Sequence, residues 1–235
     1  MKKTIGILGG MGPLATADLY RKIVLLTDAA NDNGHIRVYI DSNASIPDRT
    51  AAILSGGPDP LPAMTDSLRK LEACGADCIV MPCNTAHYFL PKLQPMTQTP
   101  FLSMLEAAAK ACRARYPGKT AAILATKGTL ASGLYQKVLE AEGVPFLVPE
   151  AAEQDALMSV IYQGVKAGAP PEAYREEYLS VLDALEARGA GFFILGCTEL
   201  PLAAQLLGIS RPAVDPTEEL AKTAIRFCGY AVKGE

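Results

Sequence analysis

The chain has 235 residues, 49% of them hydrophobic and 20% charged, with a formal net charge of −3. That length and composition suit one or two globular domains with a sizeable core, and the balanced charge, without a Lys/Arg cluster, excludes the electrostatic footprint of a nucleic-acid binder. Met1-Lys2-Lys3 opens like a signal peptide, but Gly9, Gly10, Gly12 and Pro13 cut the apolar run too early for a signal core or a membrane span. A cytoplasmic protein without a membrane partner is expected, and its six cysteines are expected as reduced thiols.

Short Val/Ile/Leu-rich runs bounded by Gly, Pro or Asn alternate with amphipathic stretches of helical length, the pattern of an α/β fold on parallel sheets. In chain order the expected strands are Thr4 to Leu8, Ile36 to Ile40, Cys78 to Met81, Phe101 to Ser103, Ala121 to Leu124, Phe192 to Leu195 and Ala213 to Asp215. Most are apolar throughout, as strands covered on both faces are. Asn43 to Pro60, with Pro47, Gly56, Gly57, Pro58 and Pro60, reads as a long loop of the kind that carries function.

The chain also resembles itself. Thr4 to Thr16 (TIGILGGMGPLAT) aligns with Thr120 to Ser132 (TAAILATKGTLAS) at an offset of 116 residues. Leu19-Tyr20 and Lys22 repeat as Leu134-Tyr135 and Lys137, Gly75 through Cys83 as Gly189 through Cys197, and Pro100, Glu106 and Lys110 as Pro212, Glu218 and Lys222. Four collinear matches with a slowly drifting offset argue for an internal duplication. Two similar Rossmann-like lobes are expected, one from residues 1–103 plus 216–235 and the other from 104–215. A ligand is expected between them at the carboxyl ends of the strands.

Each lobe presents a cysteine after a buried strand: Cys83 in CIVMPCNTAH and Cys197 in FFILGCTEL. Two thiols facing one crevice suit proton chemistry on two faces of a carbon, which needs one base and one acid. A cysteine at a helix N-terminus is expected to titrate below its usual range. Asn84-Thr85 and Thr198-Glu199 are placed to cap the helices beginning there. Cys74, Cys78, Cys112 and Cys228 read as small core hydrophobes. No metal is expected, since Cys78 and Cys83 lie ~16 Å apart in an extended chain and the chain has only two histidines. His87 reads as a helix-face residue near the surface, outside the catalytic set.

Gly10, Gly12 and Ala15 also fit the GxGxxA pattern of a dinucleotide turn, with Asp41 where a ribose-binding acid would lie. The pattern is short, and Pro13 suits a first helical position. In the second half Thr126-Lys127-Gly128-Thr129 keeps the junction without the glycine pair. Two anion-holding strand–helix turns account for both halves, whereas a dinucleotide fingerprint accounts for one.

GILGGMGPLAT, SIPDRT, MPCNTAH, ILATKGT, IYQGVKAG and GCTELP together resemble the aspartate racemases of the cofactor-independent aspartate/glutamate racemase superfamily, over nearly the whole chain. The resemblance implies an isomerase without pyridoxal phosphate or other cofactor, dimeric, interconverting the enantiomers of a small acidic amino acid. It carries the catalytic thiols onto Cys83 and Cys197, the carboxylate-binding arginine onto Arg49 and the basic residue of GVKAG onto Lys166. Two cations suit a substrate with two carboxylates and favour the carbanion formed when the α-proton leaves. Met11, Ser45, Thr50, Asn84, Thr85, Thr126, Thr129, Thr198 and Glu199 match pocket-lining positions.

Ala44, where a proline is common, and Lys127, where a small polar residue is usual, depart from that pattern and bear on substrate. Glu199 stands where glutamate racemases carry His, which favours aspartate. The alternatives are a racemase for glutamate or other amino acids, a related isomerase with a covalent cysteine, and an amino-acid or dinucleotide sensor without turnover.

Overall fold

The computed structural model describes residues 2–235, and these form two compact units: residues 2–107 with 217–235, and residues 108–216. The first unit carries a parallel sheet of β1 (Ile5–Gly9), β2 (Val38–Ser42), β3 (Cys78–Val80) and β4 (Phe101–Leu102), in the order β2-β1-β3-β4. In the second, β5 (Ala121–Ala125), β6 (Phe146–Leu147), β7 (Phe192–Gly196) and β8 (Ala213–Val214) follow the same plan, β6-β5-β7-β8. Every pairing between these strands is parallel, with helices in the connections, so the fold is α/β as the alternating pattern predicts.

Seven of the eight strands fall within two residues of the apolar runs. The strand missing from the sequence reading is β6. Its two half-buried residues are too few to show a period, although the duplication requires a counterpart of β2. Central strands β1, β3, β5 and β7 are buried along their whole length, whereas edge strand β2 is half-exposed. Water thus reaches the edges and not the centre, which is why only the central runs are apolar without interruption.

Each sheet is covered by helices whose apolar residues recur at helical spacing. Met64, Leu68 and Leu71 of the Leu61–Ala73 helix enter the cluster containing Leu8, Ile79 and Met81. In the second unit Tyr178, Val181, Leu182 and Leu185 of the Arg175–Ala187 helix pack with Phe193 and Leu195. Full burial of such a side chain contributes about 1.5–3 kcal/mol, so these stripes fix which helix face meets the sheet. Among the described residues no helix is long and apolar enough to cross a membrane.

Two expectations need correction here. The segment from Asn43 to Pro60 is not all loop, because Arg49–Leu54 is helical, with Asp48 at the N-cap accepting from the Ala51 amide at 2.8 Å. Cys74 is exposed at the end of the Leu61–Ala73 helix, not in the core. Cys78, Cys112 and Cys228 are buried as expected, and the sulfurs of Cys78 and Cys228 lie 4.0 Å apart.

Candidate active site

In the first unit the chain leaves β1 through a turn that only glycine permits. Gly10 has φ +90°, and a Cβ there would lie 2.3 Å from the Asn43 carbonyl carbon. The Gly10 amide donates to Thr16 Oγ at 2.9 Å, and that hydroxyl donates to Gly12 O at 3.1 Å. The turn is therefore closed by its own helix. That occupies the amide a dinucleotide phosphate would use, and it supports the structural reading of the glycines.

Met11 follows, buried, and its carbonyl accepts from Arg49 Nη2 at 2.9 Å. Arg49 Nη1 donates to the carbonyls of Pro47 (3.0 Å) and Ile46 (3.3 Å). The buried guanidinium thus ties the β1 turn to the SIPDRT segment. Thr50 is half-buried beside it, and Ser45 is exposed, its hydroxyl donating to Asn43 Oδ1 at 2.6 Å.

Past β3, Cys83 sits in a sharp turn whose amide donates to Met81 O at 2.8 Å. Cys83 is 6% exposed, in one apolar cluster with Met11, Ile46, Met64 and Met81. Asn84 and Thr85 are buried where a 3-10 turn, Thr85–Phe89, begins, but the Asn84 side chain does not cap it.

His87 overturns its surface assignment. It is 3% exposed, with Nδ1 2.9 Å from Cys83 O and Nε2 accepting from the Met104 amide at 3.2 Å. Burial drives its pKa down to about 4, so the ring is neutral at ordinary pH. The sequence signal for its burial is the apolar flank of Ala86 and Phe89.

The second unit repeats the plan with different chemistry. Thr126 follows β5 and caps the Lys127–Ala131 helix, its Oγ accepting from the Thr129 amide at 3.3 Å and lying 3.1 Å from Thr129 Oγ. Both threonines are buried, whereas Lys127 is half-exposed and ion-paired with Asp155. Gln154, which the sequence reading did not single out, is buried with Nε2 donating to Ala125 O at 2.9 Å, bracing the end of β5.

Cys197 directly follows β7 and is also 6% exposed. Its thiol donates to Glu199 Oε2 at 2.9 Å, as does Thr198 Oγ at 3.3 Å, while Lys166 Nζ lies 3.7 Å from Glu199 Oε1. Lys166 also stands over the Tyr162 ring at 4.6 Å. It ends a π-helical turn, Val160–Lys166, in which Gly164 admits the Tyr174 ring; a Cβ there would come within 2.7 Å of it.

Here the expectation of a lowered thiol fails for Cys197. Burial pushes the Cys197 thiol well above the usual cysteine range, the Glu199 charge and its hydrogen bond add to this, and Lys166 offsets only part. Helix-terminus stabilisation is a matter of about a kcal/mol, too little to outweigh desolvation beside a carboxylate. Thr198 and Glu199 open the Glu199–Leu207 helix, but the Thr198 side chain bonds Glu199 instead of capping.

The structure thus assembles two side-chain clusters, one in each unit. One joins Met11, Arg49 and Cys83 with His87, which sequence reasoning had set aside. The other joins Cys197, Thr198, Glu199 and Lys166 in a thiol–carboxylate–ammonium chain able to hold or move a proton, with Thr126 and Thr129 at the neighbouring strand end.

A model described as Asp/Glu/hydantoin racemase matches residues 8–224. The aspartate racemase structure of Picrophilus torridus superposes with a TM-score of 0.86 at 30% identity, covering 98% of this chain and 96% of that one. The broad specificity amino-acid racemase RacX of Bacillus subtilis is 29% identical over 94% of this chain and 96% of its own length. A glutamate racemase of Corynebacterium kroppenstedtii is 31% identical over 56% of this chain and 45% of its own. Matched by that family model from residue 8 to residue 224, through both parallel sheets, the chain belongs to the Asp/Glu/hydantoin racemase family.

Proposed function

We propose that this chain interconverts L- and D-aspartate by a two-base mechanism in which Cys83 and Cys197 act on opposite faces of the α-carbon. The observation that carries this reading is positional. The two thiols stand just past β3 and β7, which hold equivalent places in two sheets of the same strand order.

In one direction the Cys83 thiolate takes the α-proton, the electron pair spreads into the substrate carboxylate as an enediolate, and the Cys197 thiol protonates the other face. The products are the opposite enantiomer, a Cys83 thiol and a Cys197 thiolate, and proton exchange with solvent resets the pair. The reverse direction exchanges the roles. Cys197 suits the acid role at rest, because burial and Glu199 keep it protonated. Glu199 Oε2, already on the sulfur's proton, is the group through which that proton leaves when Cys197 must serve as base.

In this reading the two thiols supply acid and base, and positive charge beside the substrate carboxylates takes the place of pyridoxal phosphate in stabilising the carbanion. Arg49 and Lys166 bring positive charge to the two clusters for the carboxylates of the substrate. Met11, Ser45, Thr50, Asn84, Thr85, Thr126, Thr129 and Thr198 line its path. The working form in this reading is a cytoplasmic homodimer.

A second reading, broader or glutamate-directed specificity, is favoured by the relatives' names, which include a broad specificity amino-acid racemase and glutamate racemases. Incubation of L-aspartate with the purified chain in deuterium oxide tests the first. Exchange at Cα with growth of the D-enantiomer is expected, without added cofactor. Absence of exchange with aspartate, but turnover of glutamate or neutral amino acids, transfers the function to the second reading.

A further inference from the structure

The carbonyl of Cys83 is held in an unusual way. In an α-helical turn it would accept the amide of residue 87. The His87 amide goes instead to Asn84 O at 3.1 Å, the tighter pattern of a 3-10 turn. The imidazole of the same residue supplies the missing donor, with Nδ1 2.9 Å from Cys83 O.

At its other end the ring accepts the Met104 amide at 3.2 Å. A backbone amide can only donate, so Nε2 carries the lone pair and Nδ1 the proton. Met104 opens the Met104–Arg115 helix, and its amide is among the first-turn donors that have no partner within a helix. At the equivalent point of the second unit no side chain is needed. The Cys197 carbonyl accepts from the Leu200 amide at 2.9 Å, and Pro201, the counterpart of His87, has no donor to give.

We propose that His87 is a positioning residue for the Cys83 thiol: it spans from the Cys83 carbonyl to the head of the Met104–Arg115 helix and so sets the backbone turn from which the sulfur projects. The ring is buried, and both of its nitrogens are committed to backbone partners. Its effect is confined to one of the two thiols, because Cys197 has a backbone donor in its place. This inference rests on the reading of Cys83 as a catalytic thiol, so its test includes a measurement that needs no turnover.

Two near-isosteres separate the ends of the ring. His87→Asn keeps an amide nitrogen near the Nδ1 position, and His87→Gln keeps an oxygen near Nε2. His87→Gln should lower kcat about 10- to 100-fold with KM little changed, whereas His87→Asn should retain most of kcat. In parallel, peptide mass spectrometry after timed iodoacetamide treatment should show Cys83 alkylated severalfold faster in His87→Gln than in wild type or His87→Asn, with Cys197 in the same samples unchanged. Wild-type kcat in His87→Gln, equal losses in both variants, or Cys83 and Cys197 changing together would overturn the proposal. Should His87→Gln fail to fold, a folded His87→Asn with Cys83 alkylated severalfold faster overturns it, and wild-type alkylation there supports it. If neither variant nor wild type racemises aspartate, the alkylation comparison still decides the role of His87.

Discussion

Cys197 donates its thiol hydrogen bond to Glu199 across 2.9 Å, two residues along the same chain. The carboxylate is buried, and its other oxygen lies 3.7 Å from the Lys166 ammonium. The sulfur is therefore held in its protonated form by burial first and by its neighbour's charge second, with the lysine acting in the opposite sense.

That balance predicts the effect of changing each partner. Glu199→Gln removes the anion, so the Cys197 pKa should fall toward the usual cysteine range while burial keeps it raised. Lys166→Met removes the counteracting cation and should raise it further. The pH dependence of Cys197 alkylation, followed by peptide mass spectrometry, measures both. A Glu199→Gln profile unmoved or moved upward would contradict the assignment.

Removing either sulfur should abolish racemisation without unfolding the chain. Cys83→Ala and Cys197→Ala are each expected to lose roughly 10²–10⁴-fold in rate, the usual contribution of a positioned acid or base. Each variant should also exchange the α-proton of one enantiomer far faster than that of the other, since a single thiol serves a single face. Full activity in either variant would eliminate the paired-thiol mechanism.

His87 makes stability fall in acid. Its folded pKa of about 4 lies below the ordinary imidazole value of about 6.5, so as pH drops below that value the unfolded chain takes up a proton the native chain refuses. The neutral ring's contribution is fully present above pH 6.5 and is lost as pH falls toward 4, a loss on the order of 3 kcal/mol. Urea unfolding at pH 7 and pH 4.5 should show wild type losing more stability than His87→Asn, by most of that amount. Equal losses in the two proteins would mean the ring titrates normally.

Gly10→Ala should destabilise the first unit by about 2–4 kcal/mol, because it combines a strained backbone with a collision. The positive φ disfavours any side chain, and the new methyl would lie 2.3 Å from the Asn43 carbonyl carbon, a backbone atom with little room to yield. Thermal denaturation checks this, and a melting point equal to wild type would show that the turn can relax.

Much of the fold was legible because buried parallel strands need uninterrupted apolar runs. TIGILG, CIV and FFILG mark β1, β3 and β7 by composition alone, and the repeat of the β1 motif at Thr120 marks β5. Edge strand β6 was not legible, since two half-buried residues carry no period. The helix inside SIPDRTAAIL escaped notice because Pro47 and the glycines after Leu54 read as loop, although Asp48 signalled its start.

By itself the sequence determined the α/β class, the doubled plan and the two strand-end cysteines, because these follow from local patterning and from self-similarity along the chain. Only the tertiary structure decided the environments. Burial and a carboxylate contributed by its own turn made Cys197 a raised thiol where helix position suggested a lowered one. A carbonyl left short of a backbone donor drew His87 out of the surface and into the turn that carries Cys83. Protonation and orientation depend on what surrounds an atom in three dimensions, and residues 83 and 104 meet across one imidazole only after the chain between them has folded.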